Sequence, residues 1–319
     1  MCTAITLKTD GFYFGRNLDL DCGYNETVCV MPKKYSFSFR NGRVMAEHYA
    51  IIGMATVIGE YPLYYDGTNE KGLSMAGLNF PDNAVYYAES KEKENITPFE
   101  FVPYILGLCA SVDEALGRIE KMNLWNNRFS EKLPLTSLHW LLADKERAVT
   151  VEPLKDGMKI YENPFGVLTN NPPFDFHLHN LVNYINLTPE QPENRFSKTS
   201  EIKAYSLGMG AIGLPGDLSS ASRFVRAAFT KLNSDYEDDV TQFFHILTNV
   251  VQPSGLNRLD NKKCEYTLYT SCCDTEKGIY YYTTYGNRQI TAVDMHKADL
   301  NGRGLAVYPL IKEQRIFWQ

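Results

Sequence analysis

The second residue of the chain is a cysteine, and its position could give it two catalytic groups. Cysteine is small enough for removal of Met1 to be expected, which would leave Cys2 with both a thiol and a free α-amine. Reference pKa values are about 8.5 for the thiol and about 7.7–8.0 for the amine, so near neutrality part of the amine is an unprotonated base. Such a residue would be a nucleophile that needs no separate histidine. The alternative is a small apolar residue that opens an edge strand.

Two other patterns could carry chemistry, and each is better explained by local structure. The run 208–213 spells G-x-G-x-x-G, but a dinucleotide site needs a helix that opens inside the motif. Pro-Gly at 215–216 would break such a helix, so we expect a glycine-rich loop instead. His177 and His179 are two residues apart, which does not suit one face of a helix. We therefore expect neither a cofactor nor a metal.

Strand-like sequence dominates the first eighty residues and places Cys2 at the start of a strand. The Asp10-Gly11 pair is a strong hairpin signal between strands predicted over 2–9 and 12–20. Further strands are predicted over 27–31, 50–57 and 73–80.

Helices are predicted to begin after residue 97. Thr97 is a good cap and Pro98 a good first residue for a helix over 98–109, and Ser111 is a cap for a second over 112–122. The later predictions are strands over 137–142, 148–152, 158–161, 166–169 and 279–285 and helices over 175–184, 222–232 and 238–250. Strands, then helices, then strands predict a segregated α+β fold in a single domain, 1–319.

Composition excludes several classes of protein. Of 319 residues, 44% are hydrophobic and 22% charged, which predicts a packed core. Lys and Arg number 32 against 38 Asp and Glu, which argues against a nucleic-acid partner. The longest uncharged apolar stretch, 101–112, is too short for membrane insertion, and the N-terminus does not read as a secretory signal. We expect a cytoplasmic protein whose seven cysteines are free thiols.

Short motifs along the whole chain occur together, in the same order, in one known family. They are Met1-Cys2-Thr3, 14–19, 69–73, 77–81, 168–172, 213–217, 222–224, 282–285 and 287–289. The chain resembles the choloylglycine hydrolases, that is, bile salt hydrolases, with the penicillin V acylases as close relatives. The resemblance implies an N-terminal nucleophile hydrolase with an αββα sandwich, two antiparallel sheets between helical layers. It also implies hydrolysis of the amide that joins a bile acid to glycine or taurine, and a homotetramer with 187–210 as an assembly arm.

The resemblance also implies roles for the residues around the N-terminus. Cys2 would be the nucleophile and, through its amine, the base. Arg16 and Asp19 would border these groups, with Asp19 accepting a hydrogen bond from the amine. Because they are three residues apart, a regular strand turns them to opposite faces. Both can face the site only if a bulge or the strand end intervenes, or if one acts from the flank.

The remaining catalytic candidates are two amides and a cation. By the resemblance, Asn79 and Asn170 would donate to the oxyanion, where one donor contributes roughly 2.7–4 kcal/mol, and Arg223 would support the site electrostatically. Asparagine donates without a titratable charge. Asn at position 79 is typical of bile salt hydrolases, whereas related penicillin V acylases tend to carry Tyr. Three alternatives remain: a turn cap for Asp19, loop hydrogen bonds for the two amides and a surface charge for Arg223.

A steroid is a rigid apolar plate, so its pocket should be mostly hydrophobic. The substrate-binding candidates are Leu18, Tyr24, Ile58, Tyr65, Phe129, Leu133 and Leu135. Composition leaves open whether these residues form a pocket or core. Two classes of function follow: an amidase for conjugated bile salts, with penicillin V as the alternative substrate, or a non-enzymatic small-molecule binder whose Cys2 stays blocked.

Overall fold

The computed structural model describes residues 1–235, 238–260 and 262–319, and most of its strands belong to two large sheets. The strands are β1 Cys2–Lys8, β2 Phe12–Leu20, β3 Thr27–Met31, β4 Phe37–Ser38, β5 Val44–Met45, β6 Ile51–Ile58, β7 Tyr61–Tyr64, β8 Asp66–Asn69, β9 Ser74–Asn79, β10 Glu94–Ile96, β11 Met122–Leu124, β12 Leu138–Ala143, β13 Ala148–Leu154, β14 Gly157–Glu162, β15 Val167–Leu168, β16 Asn257–Arg258, β17 Cys264–Asp274, β18 Ile279–Thr284, β19 Thr291–Asp294 and β20 Ala306–Pro309. The helices are α1 Phe101–Leu108, α2 Val112–Ile119, α3 Phe174–Asn180, α4 Ser220–Leu232 and α5 Asp239–Thr248, with short 3-10 turns at Leu181–Tyr184, Met209–Ala211 and Met295–Lys297.

The predicted start of the first helix is wrong. The α-helix begins at Phe101 with Glu100 at its N-cap position, and the Thr97 hydroxyl caps nothing. The buried Glu100 carboxylate instead accepts from the backbone N–H groups of Thr97 and Arg40, at 3.1 and 2.6 Å, so residues 97–100 form a turn. The Ser111 cap is confirmed, because its side chain accepts from Glu114 N.

Three other helices end before their predicted limits, among them α5, which ends at Thr248 and not at residue 250. The helix predicted to reach residue 122 ends at Ile119, because Met122 already begins β11. The segment 181–184, predicted as part of a helix from residue 175, is a 3-10 turn after α3.

Two antiparallel sheets form the centre of the molecule. The first has the order β15-β1-β2-β17-β18-β19, with β16 paired to β17, and the second has the order β14-β13-β12-β9-β8-β6-β3-β20, with β7 paired to β6. β9 contacts β1 and β2, so the sheets face each other. α4 and α5 pack against β1, and α1 packs against β6, β8 and β9. The layer order is helices, sheet, sheet, helices, which confirms the predicted αββα sandwich.

Buried apolar side chains fill the spaces between these layers. One cluster joins both sheets with α4 and α5, and a second joins the second sheet with α1 and α2. β2 is buried along almost its whole length because it is covered on both faces. No helix within the described ranges has both the length and the hydropathy needed to cross a membrane.

Gly15 in β2 allows the close approach of β17 at the centre of the first sheet. A Cβ on Gly15 would lie 2.0 Å from the backbone oxygen of Ser271. We expect Gly15→Ala to lower the free energy of unfolding by about 1–3 kcal/mol, because backbone must move. A Cβ on Gly117, inside α2, meets no described atom within 4 Å. Gly117→Ala should therefore raise the free energy of unfolding by about 1 kcal/mol, and urea unfolding of both variants checks the contrast.

Candidate active site

The β1–β2 hairpin brings the thiol of Cys2 and the guanidinium of Arg16 to one face of the first sheet. Cys2 is paired with Leu18, and Arg16 is two residues away on the same strand. Since paired residues and residues two apart share a face, all three point the same way. The Arg16 guanidinium donates to the carbonyls of Gly77 and Tyr65 in the second sheet. This face is therefore the one between the sheets.

Asp19 lies on the other face, as the period of a strand predicts. Its carboxylate accepts from Thr267 Oγ1 at 2.6 Å and from Gln252 Nε2 at 3.1 Å. The pairing of β17 with β2 is irregular between Thr267 and Tyr269, but this bulge does not turn Asp19 toward Arg16. Asp19 thus approaches the N-terminus from the flank. Burial raises its pKa, and the nearby cations oppose that shift.

Met1 is present in the structure and extends the hairpin by one residue. Its ammonium donates to Asp19 O at 2.9 Å and forms an ion pair with Glu265 at 2.8 Å. The nitrogen of Cys2 is consequently an amide, and it donates to Asn170 Oδ1 at 2.8 Å. The bond predicted between a free Cys2 amine and the Asp19 carboxylate concerns the chain without Met1, and it stays a prediction.

The Asn170 side chain connects three of the other predicted catalytic residues, Cys2, Arg223 and Asn79. Its Oδ1 accepts from Cys2 N and from Arg223 Nη2 at 2.7 Å, and its Nδ2 donates to Asn79 O at 2.6 Å. Donors at one end and a carbonyl at the other fix the orientation of this amide. The Asn79 amide lines the cavity described below and makes no hydrogen bond to the described part of the chain. It is therefore available as a donor.

Arg223, in α4, is fully buried and binds β1 from the helical side. It donates to the backbone oxygen of Cys2, to Thr3 Oγ1 at 2.7 Å and to Leu218 O at 3.0 Å. Burial lowers the pKa of Arg223, and electrostatic interaction with Asp19 and Cys2 counteracts that shift. Arg223 thus holds the backbone at Cys2 and Leu218, and neither it nor Asn170 is part of the cavity lining described below.

A buried carboxylate that sequence reasoning missed lies near Arg16. Asp66 accepts from the hydroxyls of Tyr269 and Tyr280 at 2.7 and 2.6 Å. Burial acts to lower the pKa of Arg16, but electrostatic interaction with the acidic groups around it, Cys2, Tyr269 and Asp66, brings it above its usual value. Arg16 thus stays a cation beside Cys2. The tyrosine-rich segment 279–285 was visible in the sequence, but nothing there pointed to Asp66.

A cavity of about 320 Å³ opens beside the thiol of Cys2. Six of the seven predicted substrate-binding residues line it: Leu18, Tyr24, Tyr65, Phe129, Leu133 and Leu135. Ile58 does not, and that prediction is wrong, because Ile58 ends β6 beyond the cavity and is 39% exposed. Val102, Leu138 and Trp140 also line the wall and were missed, since they read only as core residues. Arg16 and Asn79 are polar groups in this largely apolar lining.

The other patterns in the sequence have structural explanations. The run 208–213 forms a turn, with positive φ at Gly208 and Gly213 and a 3-10 segment between them. His177 is buried and His179 exposed on the same helix. Across the described ranges, no three His, Cys, Asp or Glu side chains cluster as a metal site would require. All seven cysteines are described, and none forms a disulfide.

The fold and the N-terminal cysteine hairpin define an N-terminal nucleophile hydrolase. Residues 2–308 match the model of the linear amide C–N hydrolases, choloylglycine hydrolase family. The chain belongs to this family, and it is an enzyme.

Individual relatives agree with this assignment. The chain is 52% identical over 321 residues to the bile salt hydrolase/transferase of Lactiplantibacillus plantarum, which covers 99% of both chains. A variant of the conjugated bile acid hydrolase from Clostridium perfringens has a similar structure, with a TM-score of 0.94, 37% identity and coverage of 100% and 99%. The penicillin V acylase from Agrobacterium tumefaciens, with a TM-score of 0.75, 20% identity and coverage of 96% and 90%, shares the fold.

Proposed function

We propose that this enzyme hydrolyses the amide bond of glycine- or taurine-conjugated bile salts, with Cys2 as nucleophile after removal of Met1. The observation that carries the proposal is the largely apolar cavity whose wall includes Cys2, Arg16 and Asn79. The cavity suits a steroid, and the three polar groups suit an acyl carbon at its edge. The bile salt hydrolase names of relatives at 52% and 40% identity support the substrate class.

In the first half of the reaction, the substrate acyl group is transferred to sulfur. The Cys2 amine takes the thiol proton, and the thiolate, stabilised by Arg16, attacks the amide carbon. Negative charge moves to the carbonyl oxygen, where the amides of Asn79 and Asn170 donate hydrogen bonds. The proton then passes from the Cys2 amine to the leaving nitrogen, the C–N bond breaks, and glycine or taurine departs.

In the second half, water hydrolyses the thioester. The Cys2 amine removes a proton from water as the water oxygen attacks the acyl carbon, and the same amides stabilise the oxyanion. The C–S bond then breaks, the free bile acid leaves, and the proton returns to sulfur. Arg223 holds the backbone oxygen of Cys2, and the buried carboxylate of Asp19 tunes the charge around the N-terminus. Asn170, which like them is outside the cavity lining, reaches the site beside Asn79, whose backbone oxygen accepts from its Nδ2 at 2.6 Å.

The direct test is amine release from purified protein whose loss of Met1 has been verified by intact mass. Glycine- and taurine-conjugated bile salts are expected to be cleaved, and faster than penicillin V. Faster cleavage of penicillin V would reassign the enzyme as a penicillin V acylase. Binding of bile salts without release of amine would instead support the non-catalytic binder.

The role of the cavity predicts a contrast between two leucine-sized side chains. Leu135→Ala should raise KM for conjugated bile salts by up to about fiftyfold, because up to three apolar carbons leave the substrate surface at about 0.8 kcal/mol each. Ile58→Ala, outside the cavity, should change KM less than twofold. Steady-state kinetics on both variants measure the difference, and equal effects would place the steroid elsewhere.

We also propose a cytoplasmic homotetramer. Seven unpaired cysteines suit a reducing compartment. The segment 187–210 carries strongly exposed apolar side chains, with Phe196, Tyr205 and Leu207 each at least 85% exposed, as an assembly arm would. Sedimentation velocity of the purified chain tests this, and a monomer at micromolar concentration would contradict it.

A further inference from the structure

Two buried histidines bind the backbone that carries the Asn170 side chain. His139 Nε2, in β12, lies 2.9 Å from the oxygen of Thr169, and His177 Nε2, in α3, lies 2.9 Å from the oxygen of Asn170. A carbonyl oxygen only accepts, so each ring nitrogen must donate. Two consecutive carbonyls are therefore fixed by side chains from different elements of the fold.

His139 is itself held at both nitrogens and on one ring face. Its Nδ1 lies 2.9 Å from Glu152 Oε1, and both side chains are fully buried. One proton lies between them, so the pair is neutral overall, which a buried site tolerates. Glu152 also accepts from Phe174 N at the start of α3, and the imidazole stacks on Phe80 with ring centroids 4.1 Å apart. The ring therefore has little freedom to turn.

His177 supplies a single donor. Burial lowers its pKa to about 4, so the ring is neutral at working pH. Its Nδ1 has no hydrogen-bond partner in the described part of the chain. The imidazole stacks on Phe224, the neighbour of Arg223, with ring centroids 4.8 Å apart. Because its proton is on Nε2, the hydrogen bond to Asn170 O is the polar contact that this side chain adds.

We propose that His139 and His177 are positioning residues that set the place of the Asn170 amide in the transition state. The inference rests on the proposed role of Asn170 as an oxyanion donor. Ser220 Oγ accepts from Asn170 N at 2.8 Å, so all backbone polar groups from Thr169 O to Asn170 O are occupied. Misplacing such a group by about 1 Å can cost on the order of 10²-fold in rate.

Variants of His177 test the proposal most directly. His177→Phe keeps a stacked ring but removes the donor, and it should lower kcat about tenfold to hundredfold while KM changes less than about twofold. His177→Gln keeps an N–H donor and should recover most of the loss. The matched control is His179→Phe, the same substitution at an exposed position of α3, which should leave both constants unchanged.

Combination with Asn170→Ala separates positioning from general stability. If His177 acts through Asn170, His177→Phe should lower kcat no further in the Asn170→Ala background. A full additional loss in that background, or an equal loss in His177→Gln, overturns the inference. If Asn170→Ala alone leaves kcat unchanged, the proposed role of Asn170 fails first. Thermal unfolding of every variant verifies that the compared proteins are folded.

His139 needs a different set of variants, because its replacement alone would leave the buried Glu152 carboxylate without its partner. His139→Leu is therefore made in the Glu152→Gln background and compared with Glu152→Gln alone. We expect a further loss in kcat about as large as that of His177→Phe, again absent when Asn170 is alanine. An unchanged kcat would remove His139 from the proposal and leave His177.

Discussion

Cys2→Ala protein is expected to bind conjugated bile salts but to release glycine or taurine at least about a thousandfold more slowly than the parent. The substitution removes the sulfur that would form the thioester and leaves the cavity wall otherwise intact. Arg16, Asn79 and Asn170 would still polarise the carbonyl, but no group would attack it. Amine release gives kcat, and calorimetric titration gives the retained binding.

Two companion variants make this result specific to the nucleophile. Cys2→Ser keeps the shape of the side chain, but a hydroxyl gives up its proton far less readily than a thiol, so activity should stay close to that of Cys2→Ala. Cys109→Ala removes a thiol whose pKa burial raises to about 11, between α1 and the second sheet, and it should keep the parental rate. Amine release by Cys2→Ala at the parental rate would contradict the mechanism.

Local pattern was enough to predict the element that carries the nucleophile. The strands predicted over 12–20 and 27–31 match β2 and β3, and β1 ends one residue before its predicted limit. These segments are β-rich and separated by turn residues, so short-range signals determine them. The opposite faces of Arg16 and Asp19 also followed from the period of a strand.

Contacts between residues that are far apart in the sequence could not be predicted from local pattern. β17 pairs with β2 across more than two hundred residues of sequence and supplies Thr267 to Asp19, yet this strand was not predicted. His139 meets Glu152 across adjacent strands, and His177 reaches Asn170 from α3. Such contacts depend on how sheets and helices pack, so residue type and local spacing do not predict them.

Ile58 shows why the residues that line the cavity could be predicted from the sequence only in part. A β-branched residue at the end of a strand near Tyr61 and Tyr65 had the chemistry of a pocket wall, but β6 extends past the cavity. Val102 and Trp140 had the same chemistry and do line it. Apolar character alone does not distinguish a residue of the cavity wall from a residue of the hydrophobic core, since both kinds of position are filled by apolar side chains.

A chain with Asp-Asp-Asp-Asp-Lys placed directly before Cys2 is expected to turn over at least about a hundredfold more slowly until a protease cuts after that lysine. In the structure, the residue before Cys2 makes its nitrogen an amide, which donates to Asn170 Oδ1 and has no lone pair to accept a proton. Loss of a positioned general base typically costs about 10²–10⁴-fold. Met1 is 27% exposed beside Asp19 and Glu265, so an added leader has a path to solvent.

The comparison uses one protein sample before and after cleavage, with intact mass to verify that Cys2 has become the first residue. Amine release from a conjugated bile salt should rise by about the factor that a general base contributes, 10²–10⁴-fold, while the thermal unfolding midpoint changes little. The same leader on Cys2→Ala is the control, and cleavage should restore nothing there. Full turnover by the uncleaved chain would show that the α-amine is not the base. Another group near the thiol would then have to accept its proton, and Asp19 and Glu265 would be the first carboxylates to replace.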